Sequence, residues 1–112
     1  MIVRNSNSES ANKPDILTSI VVQVLAAGAT EFEVEYKDGQ EEVCVMRGPI
    51  GFGIASLKSA SEEAKELRAQ LYAIKKKRRK IEIDGVDHCL GVEIFDSFGE
   101  DAFRVSIAPG KR

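Results

Sequence analysis

The first clear pattern along the chain is a run of apolar residues at helical spacing. Pro14 suits the first turn of a helix, since its missing N–H needs no partner there, and Gly28 is a common residue just beyond a helix end. The apolar stripe between them predicts a first helix at about residues 14–27. Its members are Ile16, Leu17, Ile20, Val21, Val24 and Leu25.

Strict alternation of apolar and polar residues follows at residues 31–37 and predicts a half-buried strand. Asp38-Gly39 then predicts a two-residue type I′ turn, because both central positions of that turn need positive φ. The turn fixes the register of the returning strand, and the apolar side chains of both strands fall on one face. The predicted cross-strand pairs are Lys37 with Gln40, Val34 with Val43, and Phe32 with Val45.

A glycine-rich run, Gly48–Gly53, breaks the alternation and predicts a loop. Ser59 as N-cap and Glu62 three residues later fit a capping box. Acidic residues lie early and cations late in the segment that follows, which matches the helix dipole. These features predict a second helix at about residues 60–79. Its apolar side is formed by Ala60, Ala64, Leu67, Leu71 and Ile74.

The last third of the chain carries a second hairpin signal, Asp84-Gly85, after a strand that starts at Ile81. A loop at residues 96–101 and a final strand at residues 102–108 complete the pattern. The predicted cross-strand pairs of this hairpin are Ile83 with Val86 and Ile81 with His88.

The predicted order of elements is α-β-β-α-β-β-β, and the short connections favour a mostly antiparallel sheet of about five strands. Two amphipathic helices can cover one face, so we expect an α+β, two-layer sandwich. We expect residues 13–109 to form this single domain, with flexible ends at residues 1–12 and 110–112. The open face is expected to carry Glu31, Glu33, Glu35, Glu42, Cys44, Met46, Glu93 and Arg104.

The composition of the 112-residue chain is that of an ordinary globular protein, with 43% hydrophobic and 30% charged residues. No apolar run approaches the roughly 18–20 residues that cross a bilayer. Two cysteines are too few for a disulfide scaffold, so we expect a reduced, cytoplasmic protein.

Charge is segregated along the chain although the net charge is only −2. Residues 57–80 carry nine basic and three acidic side chains, whereas the flanking parts are acidic. Two hypotheses remain for the run of cations that ends this stretch. It is either a solvated helix end favoured by the dipole, or a docking site for nucleic acid phosphates, an acidic protein or anionic lipid. The run, termed the basic segment, consists of Lys75, Lys76, Lys77, Arg78, Arg79 and Lys80.

The glycine-rich run does not match a nucleotide-binding motif. A P-loop needs a lysine and a hydroxyl residue after its last glycine, but Ile54 and Ala55 follow Gly53. A dinucleotide fingerprint would need a third glycine that is missing here. We therefore expect no cofactor. Ile50 and Phe52 are instead candidates for binding a partner protein, with packing of Phe52 into the core as the favoured alternative.

His88, the single histidine, is expected on the inner face of the sheet, near its end. The adjacent Cys89 must point to the opposite face, which disfavours a cysteine–histidine pair. Together with Cys44, these residues also lack the spacing of metal ligands. We therefore expect no metal site and no catalytic constellation. The carboxylates expected to form a solvated acidic face are Glu31, Glu33, Glu35 and Glu42.

The segment from Ile16 to Val45 resembles the small N-terminal domain that precedes the catalytic domain of type II secretion and type IV pilus ATPases. That family usually has Ser-Asp, an aliphatic residue and His in its first strand, where this chain has Thr30–Glu33, so the histidine is absent. The resemblance implies a non-catalytic assembly or regulatory module. The similar residues are Ala27–Glu31, Glu33–Tyr36, Asp38-Gly39 and Ala102–Val105.

The sequence therefore favours a non-catalytic binding or assembly module that docks a partner protein through its charge-segregated surface. Sequence-independent binding of nucleic acid by the basic segment is the alternative. A second copy is a further candidate partner, because the acidic face could dock the basic segment of another molecule head to tail.

Overall fold

The computed structural model describes residues 15–110, so the expected tail at residues 1–12 lies outside the described part, as do residues 111–112. An α+β fold with an antiparallel sheet is confirmed, but the sheet has six strands rather than about five, and the order is α-β-β-β-α-β-β-β. The elements are α1 (Ile16–Ala26), β1 (Glu31–Lys37), β2 (Gln40–Arg47), β3 (Ile50–Lys58), α2 (Glu62–Lys76), β4 (Arg79–Ile83), β5 (Val86–Ser97) and β6 (Glu100–Pro109).

All neighbouring strands pair antiparallel in the order β3-β2-β1-β6-β5-β4, so β3 and β4 form the two edges. Both predicted hairpin registers are confirmed, since Val34 pairs with Val43 and Ile81 pairs with His88. The turn Asp38-Gly39 has φ values of 51° and 81°, as a type I′ turn requires.

The additional strand is β3, where the sequence predicted a loop. Gly48 has a φ of 63°, so Gly48-Pro49 makes a two-residue turn and Arg47 pairs with Ile50 directly across it. Three glycines within six residues conceal the apolar alternation of this strand. Pairing with β2 outweighs their weak strand propensity, which is why the loop prediction was wrong.

The loop predicted at residues 96–101 is also a tight hairpin. Phe98-Gly99 forms the turn, with φ values of 53° and 86°, and Ser97 pairs with Glu100 across it. Phenylalanine rarely takes positive φ, so the sequence carried no turn signal of the Asp-Gly kind.

Helix α2 is shorter than predicted at both ends. Its N-cap is Ser61, whose hydroxyl accepts a hydrogen bond from the Ala64 N–H at 3.1 Å. Ser59, the predicted N-cap, instead donates its hydroxyl to the Glu41 carboxylate at 2.7 Å. Lys77 adopts an extended conformation with φ −149° and ψ 118°, so the helix ends one residue before it.

Both helices pack on one face of the sheet and share a single apolar core with it. Within residues 15–110, neither helix is long and apolar enough to cross a membrane. The core includes Leu17, Ile20, Val21 and Val24 from α1, and Leu67, Leu71 and Ile74 from α2. The sheet contributes Phe32, Val34, Val43, Val45, Ile81, Leu90, Phe103, Val105 and Ile107.

Candidate functional site

The basic segment spans the end of α2, the connection and the start of the edge strand β4. Its first two lysines close the helix, Lys77 is the extended C-cap, and Arg79 and Lys80 belong to β4. The expectation that all six cations lie at a helix end is therefore wrong. Because successive side chains of an extended chain point to opposite faces, Arg79 and Lys80 lie on opposite faces of β4, and the later cations are spread along the edge rather than gathered around a helix end.

Arg79 differs from the rest of the segment because it is half-buried and holds β4 to α1. Its guanidinium lies 3.4 Å from the carboxylate of Asp15. That carboxylate caps α1 by accepting a hydrogen bond from the Thr18 N–H at 2.8 Å, and Gln70 donates to it at 2.7 Å. Burial raises the pKa of Asp15, but these hydrogen bonds and the Arg79 charge outweigh it and lower the pKa to about 2.

Arg78 occupies the space next to Gly91 of β5. A Cβ atom at this glycine would lie 2.9 Å from the Arg78 Nη2 atom, so any larger residue there would displace the guanidinium. Lys75 lines the same groove of about 320 Å³, and Glu93 is the only carboxylate among its lining residues. The glycine thus provides room for a cation at the border between the basic segment and the sheet.

The open face of the sheet is acidic around one central cation, Arg104. The register aligns Glu93, Arg104, Glu33 and Cys44 in one cross-strand row. Arg104 donates to Glu33 at 2.8 Å, lies 3.9 Å from Glu93, and stands over the Phe95 ring at 5.3 Å. The contact with Glu33 raises the pKa of Arg104. The predicted residues of this face are therefore together, with one cation paired to two of its carboxylates.

The Cys44 thiol in this face is poorly suited to nucleophilic chemistry. Burial raises its pKa, and the charges of Glu35 and Glu42 raise it further. The thiol therefore stays protonated at neutral pH, and it is the thiolate that reacts. In the described range 15–110, no three His, Cys, Asp or Glu side chains are grouped so that they could hold a metal ion.

A buried carboxylate that sequence reasoning missed, Glu41, lies under the amino-terminal half of α2. It is 3% exposed and accepts hydrogen bonds from Arg68 at 2.8 Å and Ser59 at 2.7 Å. Together with Tyr36 and Tyr72 it lines a groove of about 460 Å³. The signal was present in the sequence, because the Asp-Gly register places Glu41 opposite Tyr36, among the apolar side chains of the inner face.

Two further polar residues of this groove, Tyr72 and Asp101, are paired with each other. Tyr72 donates its hydroxyl to Asp101 at 2.6 Å, and its ring meets Phe103 edge-on with 5.1 Å between centroids. The hydrogen bond to Asp101 and burial raise the pKa of Tyr72, so the phenol is neutral at ordinary pH. These contacts hold α2 on the sheet and pair Glu41, Ser59, Arg68, Tyr72 and Asp101 with one another.

His88 is half-buried on the inner face, as expected. It borders two apolar clefts of about 240 and 380 Å³, both of which also include Leu25 and Val86. Among the described residues, no serine, cysteine or lysine lines either cleft. The histidine thus lies at the border of the core, beside clefts that are mostly apolar and that also include Thr30, Asp84 and Asp87.

The candidate partner-binding residues, Ile50 and Phe52, lie on the edge strand β3. They are 62% and 43% exposed, so the expectation that Phe52 packs into the core is wrong. Phe52 pairs with the buried Val45, which in turn pairs with the buried Phe32. The apolar row of the inner face thus runs out to the edge of the sheet, where the helices do not cover it.

Comparison with known proteins does not assign the chain to a family: no family model matches it, and no curated protein matches it.

The cations described above differ in whether they pair with a carboxylate. Arg68, Arg79 and Arg104 each pair with a carboxylate. Within residues 15–110, Lys75–Arg78 are exposed and form no ion pair.

Proposed function

We propose that this chain is a non-catalytic binding or assembly module that docks an acidic partner protein through the basic segment. The observation that carries the proposal is the exposed group of four cations, Lys75–Arg78, which have no carboxylate partner within residues 15–110. Neighbouring like charges repel, and four cations exceed what a helix end needs. An acidic surface would relieve that repulsion.

The acidic sheet face supports the same role by orienting the partner. A negatively charged surface is attracted to the basic segment and repelled by the face that carries Glu31, Glu35 and Glu42, which favours one docking direction. The resemblance to the N-terminal domain of secretion and pilus ATPases supports an assembly role as well. We propose that relationship on the order helix, strand, Asp-Gly turn, strand that α1, β1 and β2 share with it.

The test is binding of fluorescently labelled polyglutamate by the full chain and by two triple variants of equal charge. We expect Lys75→Gln, Lys76→Gln and Lys77→Gln together to weaken binding at least about tenfold at about 20 mM salt, where screening is weak. The matched control is Lys37→Gln, Lys58→Gln and Lys65→Gln, three exposed lysines elsewhere. Equal weakening by both variants, or no binding by the unaltered chain, would contradict the proposal.

Nucleic acid is the second candidate partner, because a group of exposed cations also attracts a phosphate backbone. Tyr72, the aromatic residue nearest to the segment in sequence, is occupied with Asp101 and Phe103, so binding would be independent of base sequence. Three or four phosphate contacts would give a log–log salt slope of roughly −3 to −4 on duplex DNA. DNA that binds more than about tenfold tighter than polyglutamate at equal salt would favour this alternative.

A further inference from the structure

The edge strand β3 presents an unpaired strand edge to solvent. β2 pairs with one side of it, and within residues 15–110 no strand pairs with the other. Arg47 and Ile50 flank the two-residue turn, and the residues in that position form two backbone hydrogen bonds with each other. Hydrogen-bonded positions alternate along a strand, so the backbone groups of Ile50 and Phe52 point towards β2. The N–H and C=O groups of Gly51 and Gly53 therefore point to the free edge.

This edge lacks the charged residues that normally prevent strand edges from associating. No Asp, Glu, Lys or Arg occurs in residues 48–57. Edge strands usually carry such charges, a proline or a bulge to avoid pairing with other chains. Pro49 lies in the turn before the strand, and the bulge opposite Val43 and Cys44 comes only after Gly53. The stretch Ile50–Gly53 is thus left free to pair.

Exposed apolar side chains accompany these free backbone groups. Phe52 is 43% exposed and Ile50 62% exposed, both at the uncovered border of the inner face. On the opposite face, Gly51 and Gly53 leave no side chain to obstruct a neighbour, and the Met46 sulfur lies so close that a Cβ atom at Gly51 would be 2.9 Å from it. An added strand would extend the row Phe32–Val45–Phe52 by one member.

We propose that a second copy of this chain supplies that strand, with β3 pairing antiparallel to β3 about a two-fold axis at Phe52. This register sets Gly51 of one copy opposite Gly53 of the other, so the outward backbone groups form two hydrogen-bonded pairs. The two Phe52 side chains then face each other in the closer, non-hydrogen-bonded pair between them. The pairing ends at Gly53, because Ile54 lies in the bulge and packs against the core.

A second copy suits this edge because the edge is self-complementary. A symmetric contact must bring each residue against a residue of the same surface, which is favourable only where that surface does not repel itself. Ile50–Gly53 satisfies this condition because it is apolar and uncharged. The contact also uses a different edge from the basic segment, so it stands or falls independently of the proposed docking function.

The first test is sedimentation of the full chain over a range of concentrations. Small interfaces support weak association, so we expect a monomer–dimer equilibrium with a dissociation constant on the order of 100 µM. Phe52→Lys places two like charges opposite each other and is expected to weaken the dimer at least about tenfold. Val22→Lys on α1 is the matched control, since Val22 is also 43% exposed, and it leaves the dimer unchanged.

The second test needs no variant and is therefore unaffected by any loss of folding. Amide hydrogen exchange of Gly51 and Gly53 should slow as the protein concentration rises, whereas the Phe52 amide, bonded to β2, should not respond. A chain that stays monomeric up to about 1 mM would overturn the proposal. So would a dimer that Val22→Lys breaks, since it would use the apolar clefts near His88 instead.

Discussion

The two edge strands of the sheet differ in charge: β4 is rich in charged residues and β3 is nearly free of them. β4 has five residues, three of them charged, and it is bordered by Lys75–Arg78 at its start. β3 has nine residues, and only the last of them, Lys58, is charged. Charge at a strand edge prevents pairing with other strands and attracts opposite charge, whereas an uncharged edge leaves its backbone groups available. One sheet therefore offers two distinct kinds of surface.

One ion pair joins the helix layer to β4, another joins it to β2 beside the β3 edge, and the two pairs differ in burial. Arg79 joins β4 to the N-cap of α1 through Asp15, and both side chains are partly exposed. Arg68 of α2 reaches Glu41, which is 3% exposed and also binds Ser59 just after β3. The ion pair next to the apolar edge, between α2 and β2, is therefore buried, whereas the ion pair at the basic edge is partly exposed.

The largest expected effect is a difference in unfolding free energy between alanine variants of two phenylalanines in the same cross-strand row. Phe32 is fully buried, so Phe32→Ala should cost about 3–5 kcal/mol in the free energy of unfolding. Phe52 lies two strands away at the edge and is 43% exposed, so Phe52→Ala should cost only about 1 kcal/mol. Urea unfolding at about 2 µM protein, where association is negligible, measures both. Equal losses would mean that β3 is covered.

The buried ion pair should give an intermediate effect. Arg68→Ala leaves the Glu41 carboxylate buried beside Ser59, and we expect a loss of about 1–3 kcal/mol in unfolding free energy. Adding Glu41→Gln should recover part of that loss, because the buried group is then neutral. Arg47→Ala, at an exposed arginine without an ion pair among the described residues, should change stability by less than about 0.5 kcal/mol. A similar cost for both arginines would refute the distinction.

The Asp15 carboxylate at the basic edge should give the smallest effect, visible through pH, and its hydrogen bonds with Thr18 and Gln70 contribute more to that effect than the Arg79 charge. The pKa of Asp15 is about 2 in the folded chain, below its ordinary value of 3.8. The folded state therefore gains stability above about pH 4 and loses it as the pH falls towards about 2. Because Asp15 is partly exposed, we expect only about 1 kcal/mol. Urea titrations of the unaltered chain and Asp15→Asn measure this difference, and a gap that stays constant with pH would contradict it.

The fold was largely predictable where the sequence contains its own turns. Asp38-Gly39 and Asp84-Gly85 determine two registers by local geometry alone, and both are confirmed. β3 was missed because Gly51 and Gly53 remove the apolar alternation on which strand prediction depends. Pairing with β2 depends on the assembled sheet, so the local sequence pattern of β3 does not predict it.

The residues of the candidate surfaces could be identified from the sequence, but their contacts and exposure in the fold could not. The basic segment is evident from charge alone, yet the pairing of Arg79 with Asp15 joins positions far apart in the chain. The exposure of Phe52 likewise depends on how far the helices extend over the sheet, which composition does not state. Glu41 is the exception, since its position on the inner face follows from the Asp-Gly register.

The central claim is that β3 pairs with a second copy while the basic segment binds an acidic partner. Sedimentation of the chain with labelled polyglutamate at two salt concentrations tests this claim most directly. At about 20 mM salt, the label should sediment with the dimer, because screening is weak. At about 500 mM salt, the label should be released while the protein remains dimeric, since backbone pairing and apolar contact are not screened. A dimer that dissociates together with the label would contradict the account. It would show that the basic segment and the acidic face, rather than β3, hold the copies together.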